Sequence, residues 1–199
     1  MNWDALLGML IAALALMGSP GPATLSVAAT SAVFGLGRAI PYYCGICCGT
    51  STVVLLVGTG VMSLVMAVPS VTPILVILAG AYILYLAFRI ATAPPLKAQD
   101  DSSPPPRAIA GYLLAIANPK AYAAMGALFA GYVLIARDPQ ADAITKAIIL
   151  IALVFTVNLV WLIAGRALAQ FFQSERSARI LNVSFAVLLV ASLIPLLIS

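Results

Sequence analysis

Six stretches of this 199-residue chain are apolar enough and long enough to cross a bilayer, and that constrains the fold before any motif is read. A helix needs about 20 apolar residues to span a hydrocarbon core of roughly 30 Å. The stretches cover residues 5–33, 40–67, 71–92, 108–136, 143–168 and 180–198. "FGLGR" (34–38), "AVPSVTP" (67–73), "APPLKAQDDSSPPPR" (93–107), "ARDPQAD" (136–142) and "QSERSAR" (173–179) separate them. Lipid satisfies no stray backbone group, so each stretch must close its own hydrogen bonds as a helix. Composition points the same way. The chain is 63% hydrophobic and 8% charged, with mean hydropathy +1.12, whereas about a quarter of residues are charged in soluble domains. No basic residue precedes Arg38 and Asp4 stands near the start, so the first stretch is expected to be a retained span rather than a secretion signal.

The expected fold is therefore an all-α membrane protein of six transmembrane helices in a single domain, 1–199. The central break is the longest and richest in Pro, Ser and charge. It divides the chain into a repeat of about 5–93, a loop of about 94–107 and a repeat of about 108–199. Arg38, Arg89, Lys97, Arg107, Arg166, Arg176 and Arg179 flank one side of this arrangement, against Arg137 and Lys146 on the other. Basic residues mark cytoplasmic loops. Both termini are then expected outside the cytoplasm, and two three-helix halves must be inverted relative to each other. The net charge of +4 reflects these membrane edges, and nucleic acid is not an expected partner.

Stretches one and four share an anomaly. Each is near 30 residues long and carries a proline near its middle, in "MGSPGPAT" (Met17 to Thr24) and "IANPKAYA" (Ile116 to Ala123). Proline removes a backbone donor and clashes with the carbonyl four residues back. Pro20, Pro22 and Pro119 are thus expected to break their spans, with Gly18 and Gly21 loosening the first. Broken backbone in lipid survives only where it lines a cavity or is buried in protein. Matched breaks in two inverted halves point to a transport site near the midplane. A lysine at that depth costs about 2.5–3.5 kcal/mol on insertion scales. Lys120 lies at the start of a new half-helix, where free N–H groups already favour anions, so it is a candidate for binding a carboxylate. Asn118 can cap the half-helix, and the break at Pro20–Pro22 can offer carbonyls to an amino group. With no mid-span carboxylate in the sequence, Lys120 is also the candidate proton carrier. A snorkelling lysine reaching an interface is the competing reading.

"SPGPA" followed by "GLGRA", with "NPKA" about 100 residues later, resembles the LysE/RhtB family of amino-acid exporters. The resemblance covers the whole chain. It implies a multi-pass bacterial inner-membrane protein exporting an amino acid or similar small zwitterionic or anionic metabolite, without a cofactor, by proton antiport and as a homodimer. It assigns the substrate site to Pro20, Gly21, Pro22, Asn118, Pro119 and Lys120. Many members carry an aspartate after a Gly-x-x-x-Gly in the second span, where "GICCGT" here has Thr50. That departure puts proton coupling in question. No acidic residue lies mid-span to meet a cationic side chain.

Thr24 and Ser26 follow the first break, and Asn158 is polar and mid-span; Thr24 and Asn158 join the candidate substrate site. Trp161, Tyr82, Tyr85 and Tyr112 are expected to pack or to anchor at interfaces. Gly45 and Gly49 permit close helix approach, internally or between subunits. Cys44, Cys47 and Cys48 share a helical face and raise an alternative, a metal or inorganic ion transporter. A membrane thiol oxidoreductase is a third reading, but neither proline break carries a cysteine. No GxxxxGK[ST] phosphate loop occurs, so transport is expected to be secondary and the chain not to be an enzyme.

Overall fold

Each proline-bearing long stretch folds as two helices meeting at an angle. The computed structural model describes residues 1–60, 77, 81, 83–88, 90–92, 104–171 and 175–191. Its helices are α1 (Trp3–Gly18), α2 (Pro22–Phe34), α3 (Leu36–Gly58), α4 (Ala108–Ile116), α5 (Pro119–Gly131), α6 (Pro139–Phe171) and α7 (Glu175–Ala191). Residues 83–88 and 90–91 are also helical, and no strand occurs among the described residues. The pairs α1–α2 and α4–α5 are each bent by 57°. With α3 and α6, which are long and apolar enough to cross a bilayer unaided, they supply two to four spans. Part of the expected third span, the central loop up to residue 103 and the end of the sixth span lie outside the described residues.

The caps explain the breaks. α1 starts on Asn2, whose Oδ1 accepts from the Ala5 amide at 3.1 Å, and stops at Ser19 in extended geometry. Gly21 is extended too, and Pro22 opens α2 as its first residue. In the second half, Asn118 caps α5 by accepting from the Lys120 amide at 3.2 Å, and Pro119 follows as the first helical residue. The fixed φ of proline suits that position and its missing N–H would be unpaired there anyway. Pro22 and Pro119 therefore break their spans as the sequence reading expects, each by opening a new helix. In the second span, α3 ends at Gly58 and Gly60 has φ 73°; residues 61–67 of the expected span lie outside the described residues. Gly35, at φ 80°, makes the one-residue corner between α2 and α3, a left-handed conformation glycine adopts freely.

α2 is buried along its length except at Ala23, whereas α5 leaves Ala123, Ala127 and Ala130 exposed. Val27, Ala29, Val33, Tyr42, Ile46, Leu114 and Phe185 form the core around α2. A second core joins Met9 and Ala13 of α1 to Met125, Leu128, Leu150 and Val154. Outward faces carry Leu7, Ile11, Ile148, Val160 and Ile163, apolar surface that suits lipid rather than water. α3 and α4 meet backbone to backbone. A Cβ on Gly49 would lie 2.6 Å from the Tyr112 carbonyl oxygen, one on Gly111 2.6 Å from that of Tyr42, and one on Gly45 would collide with the Ala108 carbonyl. The Gly45-x-x-x-Gly49 pattern is thus spent inside the chain, joining α3 to α4.

Candidate functional site

The two breaks face one another, and Lys120 joins them. Its Nζ donates to the Ser19 carbonyl at 2.8 Å, to Ser19 Oγ at 2.8 Å and to the Pro20 carbonyl at 3.2 Å. An ammonium has three donors, so all three are taken. The last carbonyls of a helix have no intrahelical partner and carry its negative dipole end. At the end of α1 Lys120 takes those of Ser19 and Pro20, and the Trp161 indole takes that of Gly18 at 3.2 Å. The snorkelling alternative does not describe this lysine, which reaches across to residues 100 positions earlier. The break carbonyls, which the sequence reading offers to a ligand's amino group, already accept from within the chain. Lys120 itself occupies them.

Gly21 is small because Lys120 lies over it. A Cβ at Gly21 would come within 2.9 Å of Nζ and 3.0 Å of Cδ. The Gly21 amide donates to Thr24 Oγ1 at 3.0 Å, and that hydroxyl donates to the Gly21 carbonyl at 3.2 Å. Thr24 therefore fixes the start of α2 as well as facing inward. Ser26 turns back to the Ala23 carbonyl at 2.8 Å.

Beside this junction is a cavity of about 50 Å³. Its polar lining is Thr24, Thr50, Asn118, Lys120 and Asn158, with the backbone of Gly21; Met17, Ala121, Ala124 and Met125 supply apolar wall. Five sequence candidates therefore share one cavity: Gly21, Thr24, Asn118, Lys120 and Asn158. Pro20, Pro22 and Pro119 are not among its lining residues. Asn158 is 5% exposed; its Nδ2 donates to the Val154 carbonyl at 2.8 Å, while Oδ1 accepts no protein hydrogen bond. Buried polar atoms are nearly always paired, so this acceptor in a cavity wall marks a place for a donor.

Comparison with known proteins then decides the family: the model for LysE type translocators matches residues 14–199. The chain belongs to the LysE type translocator family. It is a membrane transporter and not an enzyme. It is 31% identical over 177 residues to a cysteine/O-acetylserine efflux protein of Salmonella choleraesuis (strain SC-B67), covering 86% of this chain and 87% of that one. The same figures hold for a cysteine/O-acetylserine efflux protein of Salmonella typhimurium (strain LT2). No solved structure matches.

The sequence reading did not include Ser19, Trp161 or Thr50 in the candidate site. Ser19 is legible afterwards as the last residue before the proline break. Thr50 stands at the position where the resemblance leads one to look for an aspartate, and the structure puts it in the cavity wall, 8% exposed. Cys47 is buried, Cys44 and Cys48 are exposed, and all three are free thiols. Among the described residues no group of three or more His, Cys, Asp or Glu could hold a metal ion.

Proposed function

We propose that this protein is a secondary exporter of a small amino acid with an uncharged side chain, and that the substrate takes the place of the Lys120–break contact. The saturated ammonium of Lys120 carries the reading. A zwitterion supplies both halves of what must be exchanged. Its carboxylate takes Lys120, and its ammonium takes the released carbonyls of Ser19 and Pro20 and the open Oδ1 of Asn158. Binding then breaks the direct tie between the two halves and replaces it with one through the substrate, which couples occupancy to their relative movement.

The size of the cavity fits a closed state. At about 50 Å³ it has room for a few waters, each needing roughly 10–15 Å³ on this measure, and must widen to admit an amino acid. No Asp or Glu lines it, so a cationic side chain would have no partner. The cysteine/O-acetylserine efflux relatives support small, uncharged side chains of that kind as substrates. Among the lining residues Lys120 is the one ionisable group able to carry a coupling proton. The six-span inverted repeat, supported by the matched 57° bends, and the termini outside the cytoplasm, supported by the basic residues gathered on one side, are part of this reading.

Lys120→Met keeps length and removes charge. It should reach normal membrane abundance and lose substrate binding by calorimetry or thermal shift, with Lys120→Arg partly active. Normal binding and export by Lys120→Met would overturn the site. A C-terminal alkaline phosphatase fusion should be active; an inactive one, with a fluorescent fusion bright, would overturn the orientation.

A further inference from the structure

The other end of α5 is also held by a lysine, and transport chemistry does not use it. Lys146, on α6, is 4% exposed and its Nζ donates to the Phe129 carbonyl at 2.9 Å and the Tyr132 carbonyl at 2.9 Å. Its third contact is the Asp142 carboxylate at 2.7 Å. Asp142 is 7% exposed, and its Oδ1 accepts from the amides of Leu134 at 2.6 Å and Ile135 at 2.9 Å. The pair thus ties the end of α5 and the segment after it to α6. The Phe129 ring lies 5.3 Å from Nζ, and its edge lies where a Cβ on Gly58 of α3 would be, 2.8 Å away. The Leu134 carbonyl accepts from the Asn2 amide at 2.8 Å, and the Tyr132 ring lies over Gly8. Leu134 itself is 1% exposed. The face of the molecule carrying the N-terminus is closed by this arrangement, and α5 is pinned at both ends.

We propose that Asp142 and Lys146 are positioning residues: they fix the far end of α5 against α1, α3 and α6, and so set where its near end presents Lys120. Three observations converge on that role. Every donor of Lys146 is used on Asp142 of its own helix or on the carbonyls of Phe129 and Tyr132, so its contacts fix α5 to α6. Its acceptors are the last carbonyls of α5, where a cation complements the helix dipole. Paired charges buried at this depth are costly to assemble, and losing one partner strands the other. α5 is half-exposed along Ala123, Ala127 and Ala130, so these end fixings, rather than side-chain burial all round, determine its position. Release of the pair frees the segment over Leu134 and lets the N-terminal face open.

The inference rests on the substrate site proposed above, but one test needs no substrate. In a chain with Cys44, Cys47 and Cys48 changed to Ala, Leu134→Cys serves as the reporter, labelled from outside by a membrane-impermeant maleimide. Adding Lys146→Met or Asp142→Asn should speed labelling at least tenfold and raise KM for export at least tenfold at equal membrane abundance. The double variant should be no worse than the poorer single one, because the two residues act as a unit. Where Lys146→Met fails to accumulate, Asp142→Asn keeps shape and an acceptor for the Leu134 and Ile135 amides and carries the same test. Unchanged labelling in Asp142→Asn at full abundance would overturn the positioning role. Faster labelling with unchanged KM would refute the link to Lys120, while leaving the face closure in place. A failure of the substrate site itself would show separately, as normal binding by Lys120→Met.

Discussion

Asn158→Leu should move stability and binding in opposite directions. Asn158 is buried, and its one protein hydrogen bond from the side chain goes to the Val154 carbonyl four residues back. That carbonyl is a helix acceptor in its own right, so losing the extra donor costs about 0.5–1 kcal/mol. Oδ1 has no protein partner, and an unsatisfied buried acceptor costs about 1–3 kcal/mol. Leucine has nearly the same shape and no polar atom. The folded protein should therefore be neutral to roughly 2 kcal/mol more stable. Binding should suffer, because a hydrogen bond to a charged ammonium is worth about 1.5–3 kcal/mol, or roughly 10- to 150-fold in affinity at 1.36 kcal/mol per tenfold. Detergent-solubilised protein would be melted with and without a panel of small amino acids with uncharged side chains, and export measured in a strain lacking its own exporters. The expected pattern is an equal or higher melting temperature, a lost ligand shift and reduced export. A lower melting temperature with an intact ligand shift would show that Asn158 serves packing, and that its open acceptor has no bearing on substrate.

Gly21→Ala should reduce export at least several-fold at normal abundance, because the new methyl would displace an anchored Lys120; unchanged export in vesicles would mean that the lysine's position over Gly21 is not used. Gly45→Val should cut membrane abundance sharply, since overpacking costs about 1–3 kcal/mol and the obstacle is the Ala108 backbone, not a side chain that can turn away. Quantitative immunoblotting checks it, with Gly37→Val as the control in open space. Changing Cys44, Cys47 and Cys48 together to Ala should leave export near wild type. A collapse of export at normal abundance would revive the metal reading.

The features most legible in the sequence were those with period or punctuation. Long apolar runs announced helices, and Pro20 and Pro119 marked both breaks to within a residue or two. Asn118 as a cap was legible because a side-chain acceptor directly before Pro-Lys has one obvious use. What could not be read was direction across the gap. Whether Lys120 turns to an interface, to a ligand or to the opposite break depends on how the halves meet, which depends on glycine contacts such as Gly49 with Tyr112, made between residues over 60 positions apart. The same holds for Lys146. In the sequence it was one of two basic residues counted at a membrane edge. Its burial arises from Asp142 one turn earlier and from carbonyls of another helix, neither visible as a motif.

The unequal burial of α2 and α5 has a consequence for how the protein tolerates change. The two half-helices carry matching motifs, yet α2 is enclosed by core residues such as Tyr42, Leu114 and Phe185, while α5 has a bare alanine flank. A substitution on α2 must be accommodated by several neighbours at once. One on the outer flank of α5 meets lipid. A saturation scan should thus find α2 intolerant at nearly every position through lost protein, and α5 permissive on one side. Variation among relatives should accumulate along α5 for the same reason. Such drift would leave the cavity wall of Ala121, Ala124 and Met125 untouched, while the half-helix with the matching motif stays fixed as the fold's axle.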